Sequence, residues 1–265
     1  MKAWQSGIVR QLTHARAALE RNLAGTLQAI HLFGSAIDGG LKPYSDIDLL
    51  VTVNAPLPDP VRYALMMDLL SISAAPGTNE THRALEVTVI VRHEVVPWRY
   101  PPLRELQFGE WLREPLQHGC VEGATVDHDL AILLTKARQH SINLVGMPAR
   151  DLFDPVPKED LAKALFDTVA QWNSTSDWQG DERNIVLALA RIWFSAASGE
   201  ITSKDAAAAW VLERLPDVYA PVVHTAREAY LGSGRDDLAG RTDEVQAFIY
   251  YAKAMIGKHS LAKPS

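Results

Sequence analysis

Apolar residues recur at helical spacing from residue 4 to 23, where Ile8, Leu12, Ala15, Leu19 and Leu23 fall on one stripe and predict an amphipathic packing helix. The period then shortens. Residues 26–33 are apolar and β-prone and end in a turn at Gly34-Ser35, and residues 46–53 and 83–91 read as two further strands. Between them, residues 59–73 open with Asp59 as cap and Pro60 at the first helical position, which predicts a helix covering the sheet. Residues 97–102 are rich in proline and aromatics and predict a rigid loop, and a helix is expected from about Asp127 to His140. From residue 158 onward the periodicity is helical throughout, over 158–171, 181–197, 203–214, 217–231 and 242–257, with Gly199, Pro216 and the run Gly232-Ser233-Gly234 as breaks. The pattern as a whole predicts an α+β fold: an N-terminal domain of strands and covering helices over residues 1–156 and a C-terminal α-helical bundle over 157–265.

Several polar residues interrupt these runs. Strand side chains alternate faces, so Asp46 and Asp48 share one face of their strand while Ile47 and Leu49 share the other. Two like carboxylates this close repel unless a cation lies between them, and Mg²⁺ takes such ligands, completing its shell with substrate phosphates and water. The alternative is a polar turn leading into an edge strand. Glu86 stands among Leu85, Val87 and Val89, where an unpaired carboxylate is costly to bury, so it marks either an edge position or a third ligand to the same metal.

Other candidates keep two readings open. His31 reads as a packed or edge residue and Trp98 as the anchor of its loop, while Trp111 is either packing or a flat binding surface. The second Asp-x-Asp, Asp127 and Asp129, reads as helix-terminal charge, since residues two apart on a helix do not face each other. The run from Trp172 to Asp181 combines indoles with carboxylates, the pairing a polyhydroxylated cation needs, although Asp177 could equally cap a helix with Trp178 packed beneath it. Taken alone, Lys204 is a solvated first-turn lysine, and Arg191 pairs with either a phosphate or a neighbouring acid.

Charge and composition narrow the partners. Thirty-two acidic against 26 basic residues give a net charge of −6, which disfavours a phosphate-tracking nucleic-acid binder and suits a cationic small molecule. The single cysteine, Cys120, excludes an intramolecular disulfide, no apolar run reaches membrane-spanning length, and no secretory leader is expected from the opening residues. A cytoplasmic monomer with no membrane or nucleic-acid partner is the expectation.

Gly34-Ser35, then Asp46-x-Asp48, then a strand-borne Glu86 resemble the nucleotidyltransferase fold of the DNA-polymerase-β type, which implies a mixed sheet for the N-terminal domain. The stretches His31–Ala36, Gly39–Thr52, Arg83–Val89, Gln107–Glu114 and Asp177–Asn184 are similar to the aminoglycoside (3'')(9) adenylyltransferases, which act on streptomycin and spectinomycin, and the likeness runs from about residue 27 to 231. That resemblance implies transfer of AMP from ATP to a drug hydroxyl, with Mg²⁺, two ions, held by Asp46, Asp48 and Glu86 and with Glu86 as the base. It further implies that Ser35, Ser45, Lys204 and Tyr230 contact ATP phosphates. Trp111 and Asp181 would serve both drugs, and Trp172 and Asp177 would mark streptomycin. Two alternatives stay open on the motif alone: AMP transfer to another acceptor such as a protein side chain, and a catalytically silent nucleotide-binding regulator.

Overall fold

The structure, a computed structural model, describes residues 6–79 and 81–261 and divides into two compact units meeting in sequence at Val156 and Pro157. In the first unit the strands are β1 (Leu27–Phe33), β2 (Ile47–Val53), β3 (Leu85–Val91), β4 (Leu103–Arg104), β5 (Leu106–Phe108), β6 (Thr125–Val126) and β7 (Ile142–Val145). Its helices are α1 (Ser6–Asn22), α2 (Asp59–Ser71), α3 (Arg92–Val95), α4 (Arg113–Gln117), α5 (Leu130–Gln139) and α6 (Ala149–Leu152). Residues 4 and 5 of the expected first helix lie outside the described residues.

Five strands form one mixed sheet in the order β5-β3-β2-β1-β7, with β2 and β3 parallel and every other neighbour antiparallel. A parallel pair needs a crossover, and α2 supplies it. Side-chain alternation then sorts two cores. Ile30, Leu32, Ile47, Leu49, Leu85 and Val87 pack with Leu12 and Leu19 of α1 and Leu65 and Leu69 of α2. Ala29, Phe33, Leu50 and Ile90 point the other way and pack with Leu130 and Leu134 of α5 and with Leu152 of α6. The stripe read from α1 is buried at Leu12, Ala15, Leu19 and Leu23 as expected. Gln11, on the same helix, donates to the carbonyls of Ile72 and Arg83 at 2.9 and 2.7 Å and accepts from the Arg83 N–H, so α1 also ties down the entry to β3.

Three expectations are corrected. β2 and β3 are interior strands, so the edge-strand explanations for Asp46, Asp48 and Glu86 fail. Asp59 is the first helical residue of α2 and Pro58 the flanking one, without a side-chain cap. The helix expected from Asp127 starts at Leu130, leaving Asp127 in the segment between β6 and α5. His31 is packed, fully buried on β1 with Nε2 2.8 Å from the Met147 carbonyl; burial lowers its pKa against the opposing pull of that bond.

The second unit contains α7 (Lys158–Val169), α8 (Glu182–Ser198), α9 (Lys204–Leu212), α10 (Ala220–Leu231) and α11 (Thr242–Leu261). α8 is its centre, burying Val186, Leu189, Ala190 and Trp193 against its neighbours. Trp193 meets Trp210 of α9 edge-on at 6.1 Å and Tyr251 of α11 at 6.0 Å. Gly199 stops α8 in the left-handed region, at φ 76°, which a side chain would resist.

Candidate active site

The two cores define where chemistry is possible. Asp48 and Glu86 alternate with the buried Ile47, Leu49, Leu85 and Val87, so both lie on the α5 side of the sheet, near the starts of β2 and β3. They are opposite each other in the parallel register, on strands about 4.8 Å apart. Asp48 is also paired with Phe33, the last residue of β1, so the Gly34-Ser35 turn emerges beside it. Asp46 stands one residue ahead of β2 and, like Asp48 and Glu86, is half-buried. Among the described residues no three His, Cys, Asp or Glu side chains close into a metal cage. Hard-oxygen donors on adjacent strands fit the open kind of Mg²⁺ site, where one or two carboxylates suffice and substrate phosphates and water complete the shell.

Gly34 is fitted to Asp48. Its φ is +73°, and a Cβ placed there would lie 1.8 Å from Asp48 Oδ2. Gly34→Ala therefore has to displace the carboxylate as well as strain the turn by about 1–2 kcal/mol. Misplacement by an ångström costs on the order of 100-fold in rate, so kcat/KM of Gly34→Ala should fall by about that factor in a steady-state assay. Activity within threefold of the unaltered chain would show that the close approach is unimportant.

The loop before β2 is clamped by Arg83, whose Nη1 donates to the carbonyls of Lys42, Pro43 and Ser45 at 2.8, 3.2 and 3.1 Å. Ser45 Oγ accepts from the Lys42 N–H at 3.0 Å, and Ser45 is largely buried. Ser35 lies in the 3-10 turn of residues Gly34–Ala36 and is half-buried. Ser35, Ser45, Asp46, Asp48 and Glu86 thus belong to one sheet and the turns feeding it. Arg83 was not a sequence candidate, because nothing in its position at a strand entry signals three carbonyl partners.

Trp111 is 59% exposed, which decides against its being core packing. Its ring lies over Gly109, where a Cβ would come within 2.2 Å of it. Beside it, Glu110 accepts from Arg113 Nε at 2.7 Å and from Ser73 Oγ, and Ser73 Oγ in turn accepts from the Leu85 N–H at 3.0 Å. Burial opposes ionisation of Glu110, but the bonds from Arg113 and Ser73 outweigh it and hold the carboxyl below its usual range. A lowered folded pKa adds stability above the unfolded value, about 4.3, and loses it as pH falls through the folded value. Glu110→Gln should therefore cost about 1–3 kcal/mol at pH 7 in urea unfolding, and the gap should close in acid below about pH 4. A gap independent of pH would remove the ionic part of this account.

In the second unit, Trp172 is half-buried and Asp177 is fully exposed at the end of a 3-10 turn, Thr175–Asp177. Asp177 Oδ2 accepts from the backbone N–H groups of Asn173 and Ser174 at 2.7 and 2.8 Å in a reciprocal capping box with Ser174. Those bonds, Asn173 first, lower its pKa and keep it anionic. Trp178 is buried beneath, its ring 6.3 Å from Tyr250. The capping alternative is therefore what the fold builds, and it also presents a fixed anion. α11 secures this loop in a way the sequence did not signal: Lys253 Nζ donates to the Trp172 carbonyl and, at 3.0 Å, to Asn173 Oδ1, and the Tyr250 hydroxyl donates to the Asn173 carbonyl at 3.1 Å.

A second group forms where α8, α9 and α10 meet. Asn184 Nδ2 donates to Asp181 Oδ1 at 2.6 Å, and Lys204 Nζ reaches Asn184 Oδ1 at 3.4 Å while standing 5.7 Å from the centre of the Tyr230 ring. Asp181 and Lys204, far apart in sequence, are joined through Asn184, with the Tyr230 ring beside Lys204, so Lys204 is more than a solvated first-turn lysine. Trp98 anchors its loop by packing, half-buried, against the core on the α5 side of the sheet, and its backbone N–H donates to Asp154 Oδ2 at 3.1 Å. Arg191 is half-buried within α8.

Residues 13–101 match the model of the nucleotidyltransferase domain, and residues 151–255 match the model of the aminoglycoside adenylyltransferase C-terminal domain. These matches begin within α1 and continue into α11, so the likeness extends past both ends of the stretch read from sequence. An aminoglycoside (3'') (9) adenylyltransferase of Escherichia coli is 56% identical over 94% of this chain and 94% of its own length. A spectinomycin 9-adenylyltransferase of Staphylococcus aureus is 42% identical over 87% of this chain and 88% of its own. Among solved structures, spectinomycin adenyltransferase AAD(9) from Enterococcus faecialis, crystallised with ATP and spectinomycin, superposes with a TM-score of 0.88 at 30% identity, covering 94% of this chain and 99% of that one. With Asp48 and Glu86 in register beside the Gly34-Ser35 turn, the chain belongs to the aminoglycoside (3'') (9) adenylyltransferases, a nucleotidyltransferase family.

Proposed function

We propose that the chain transfers AMP from ATP to the 3''-hydroxyl of streptomycin and the 9-hydroxyl of spectinomycin, releasing pyrophosphate and conferring resistance to both drugs. The observation that carries this reading is the register of Asp48 with Glu86 on adjoining parallel strands, beside a turn whose glycine is fitted to Asp48. Asp46, Asp48 and Glu86 would hold Mg²⁺, which when bound lowers the pKa of the attacking hydroxyl and neutralises charge on the leaving pyrophosphate. Glu86 takes the proton from the drug hydroxyl. The hydroxyl oxygen attacks the α-phosphorus, and the bond to pyrophosphate breaks on the opposite side.

Ser35 and Ser45 bind phosphate oxygens at the turns, and Lys204, backed by the Tyr230 ring, supplies a cation for the triphosphate. Trp111 offers a flat apolar face to either drug, and Asp181 supplies a carboxylate for both. Trp172 and the anionic Asp177 recognise the cationic groups of streptomycin. The reaction is read as cytoplasmic and the enzyme as a monomer. Incubation with Mg-ATP and each drug, followed by mass measurement, should show one AMP added to each antibiotic; no addition to either would overturn the proposal.

Selectivity gives a finer test. A charge-assisted contact is worth about 1.5–3 kcal/mol, which is about 10–100-fold in affinity. Trp172→Ala and Asp177→Asn should each lower kcat/KM for streptomycin by about that factor while leaving spectinomycin within about threefold. Equal losses on the two drugs would reject their assignment to streptomycin.

A further inference from the structure

Glu86 is embedded in a chain of hydrogen bonds that crosses three strands. Gln107 Nε2 donates to Glu86 Oε1 at 3.1 Å, Arg104 Nη1 donates to Gln107 Oε1, and Arg104 Nη1 also donates to Asp127 Oδ2. Gln107 sits opposite Thr88, two residues along β3 from Glu86, which places it on the same face. Arg104 is on β4, opposite Thr125 of β6, and Asp127 follows that strand directly. We propose that Gln107, Arg104 and Asp127 are positioning residues that fix the carboxylate plane of the general base Glu86. The inference rests on the role given to Glu86 above and extends it to residues outside the metal motif.

The direction of the chain follows from donor chemistry. A guanidinium only donates, so the Gln107 carbonyl must face Arg104 and its amide N–H must face Glu86. The amide therefore has one stable orientation and cannot flip without losing a bond at each end. Asp127 is itself locked: Oδ1 accepts from the Asp129 N–H at 2.9 Å, and its own N–H donates to the Pro102 carbonyl at 3.0 Å. The Arg104 and Asp127 side chains are only 18% and 15% exposed, so water competes poorly for their bond.

The charge arrangement has a purpose as well. A cation bonded directly to Glu86 would compete with Mg²⁺ and with the drug proton for its negative charge. A neutral amide transmits orientation without taking that charge, and Asp127 balances Arg104 behind it. The second Asp-x-Asp of the sequence thus has work at its first aspartate that helix-end electrostatics does not describe.

The test measures kcat, KM for ATP and drug, Mg-ATP binding by calorimetry and thermal unfolding in Gln107→Met, Gln107→Glu, Asp127→Asn and the double variant Gln107→Met with Asp127→Asn. Loss of a group that orients a ligand typically costs about 10–100-fold. Gln107→Met, which keeps the volume but neither bond, should lower kcat by about that factor, with both KM values, Mg-ATP affinity and Tm little changed. Gln107→Glu, which faces Glu86 with a second carboxylate, should be slower still. Asp127→Asn should add little once Gln107 is already methionine, because the chain is then cut. If Gln107→Met keeps kcat within twofold while Glu86→Gln is inactive, the positioning chain is wrong and the base assignment survives. If Glu86→Gln retains turnover, the base assignment falls and this inference with it. Parallel loss of Mg-ATP affinity or Tm in Gln107→Met would show a merely structural role and also overturn it.

Discussion

Glu86→Gln is expected to abolish adenylyl transfer and to leave Mg-ATP binding close to intact. Glutamine has nearly the shape of glutamate but cannot accept a proton from the drug hydroxyl, and a positioned general base contributes about 100- to 10,000-fold. The remaining nucleotide contacts are those proposed for Ser35, Ser45, Lys204 and Tyr230, whose side chains the substitution leaves unaltered. Pyrophosphate release measures turnover, and calorimetry measures binding. Asp48→Asn provides the contrast: it removes charge from the carboxylate pressed against Gly34 and should weaken Mg-ATP binding as well as rate. Unchanged turnover in Glu86→Gln would refute Glu86 as the base.

The largest stability effect is expected away from the chemistry, at Arg62. Its guanidinium on α2 donates to both the carboxylate and the backbone carbonyl of Glu105, and the two side chains are 8% and 3% exposed. Glu105 Oε1 also accepts from the Leu57 N–H at 2.7 Å. Removing one member of such a pair strands a buried charge and costs about 3–5 kcal/mol, whereas replacing the pair as a whole is often nearly neutral. Arg62→Met should therefore lose about 3–5 kcal/mol in denaturant unfolding. Glu105→Gln added to it should restore much of that loss, because an amide carbonyl still accepts from Leu57 without carrying charge. Failure of the second change to recover stability would mean that packing of the arginine stem, not the stranded charge, sets the cost. Glu105 lies between Arg104 and Gln107, so the same pair helps hold the segment that supports Glu86.

What was readable in advance depended on whether a residue's partners were local. The strands around Asp48 and Glu86 were legible because seven-residue runs alternate clearly, and the stripe on α1 because its helix spans 17 residues. β5 and β7, of three and four residues, are too short to show a period, yet they complete the sheet. Without β5, Glu86 looked like a possible edge residue, and Gln107 had no visible partner. Asp127 was misassigned for a related reason: its neighbours in sequence suggest a helix start, but its ion-pair partner, Arg104, is 23 residues away.

The sequence by itself determined which residue types were available for the reaction: a Gly-Ser turn, two carboxylates spaced by one at the head of a strand, a third carboxylate on a later strand, and indoles beside acids in a helical half. Those are local patterns, set by side-chain chemistry and backbone periodicity. Tertiary structure decided that Asp48 faces Glu86, that Gly34 leaves space for Asp48, that Asp181 connects to Lys204 through Asn184, and that Gln107, Arg104 and Asp127 stand behind Glu86. Each of these depends on strand register or helix packing between segments distant in the chain. Register is a joint property of two pairing strands, and neither strand's own sequence records where the other will lie.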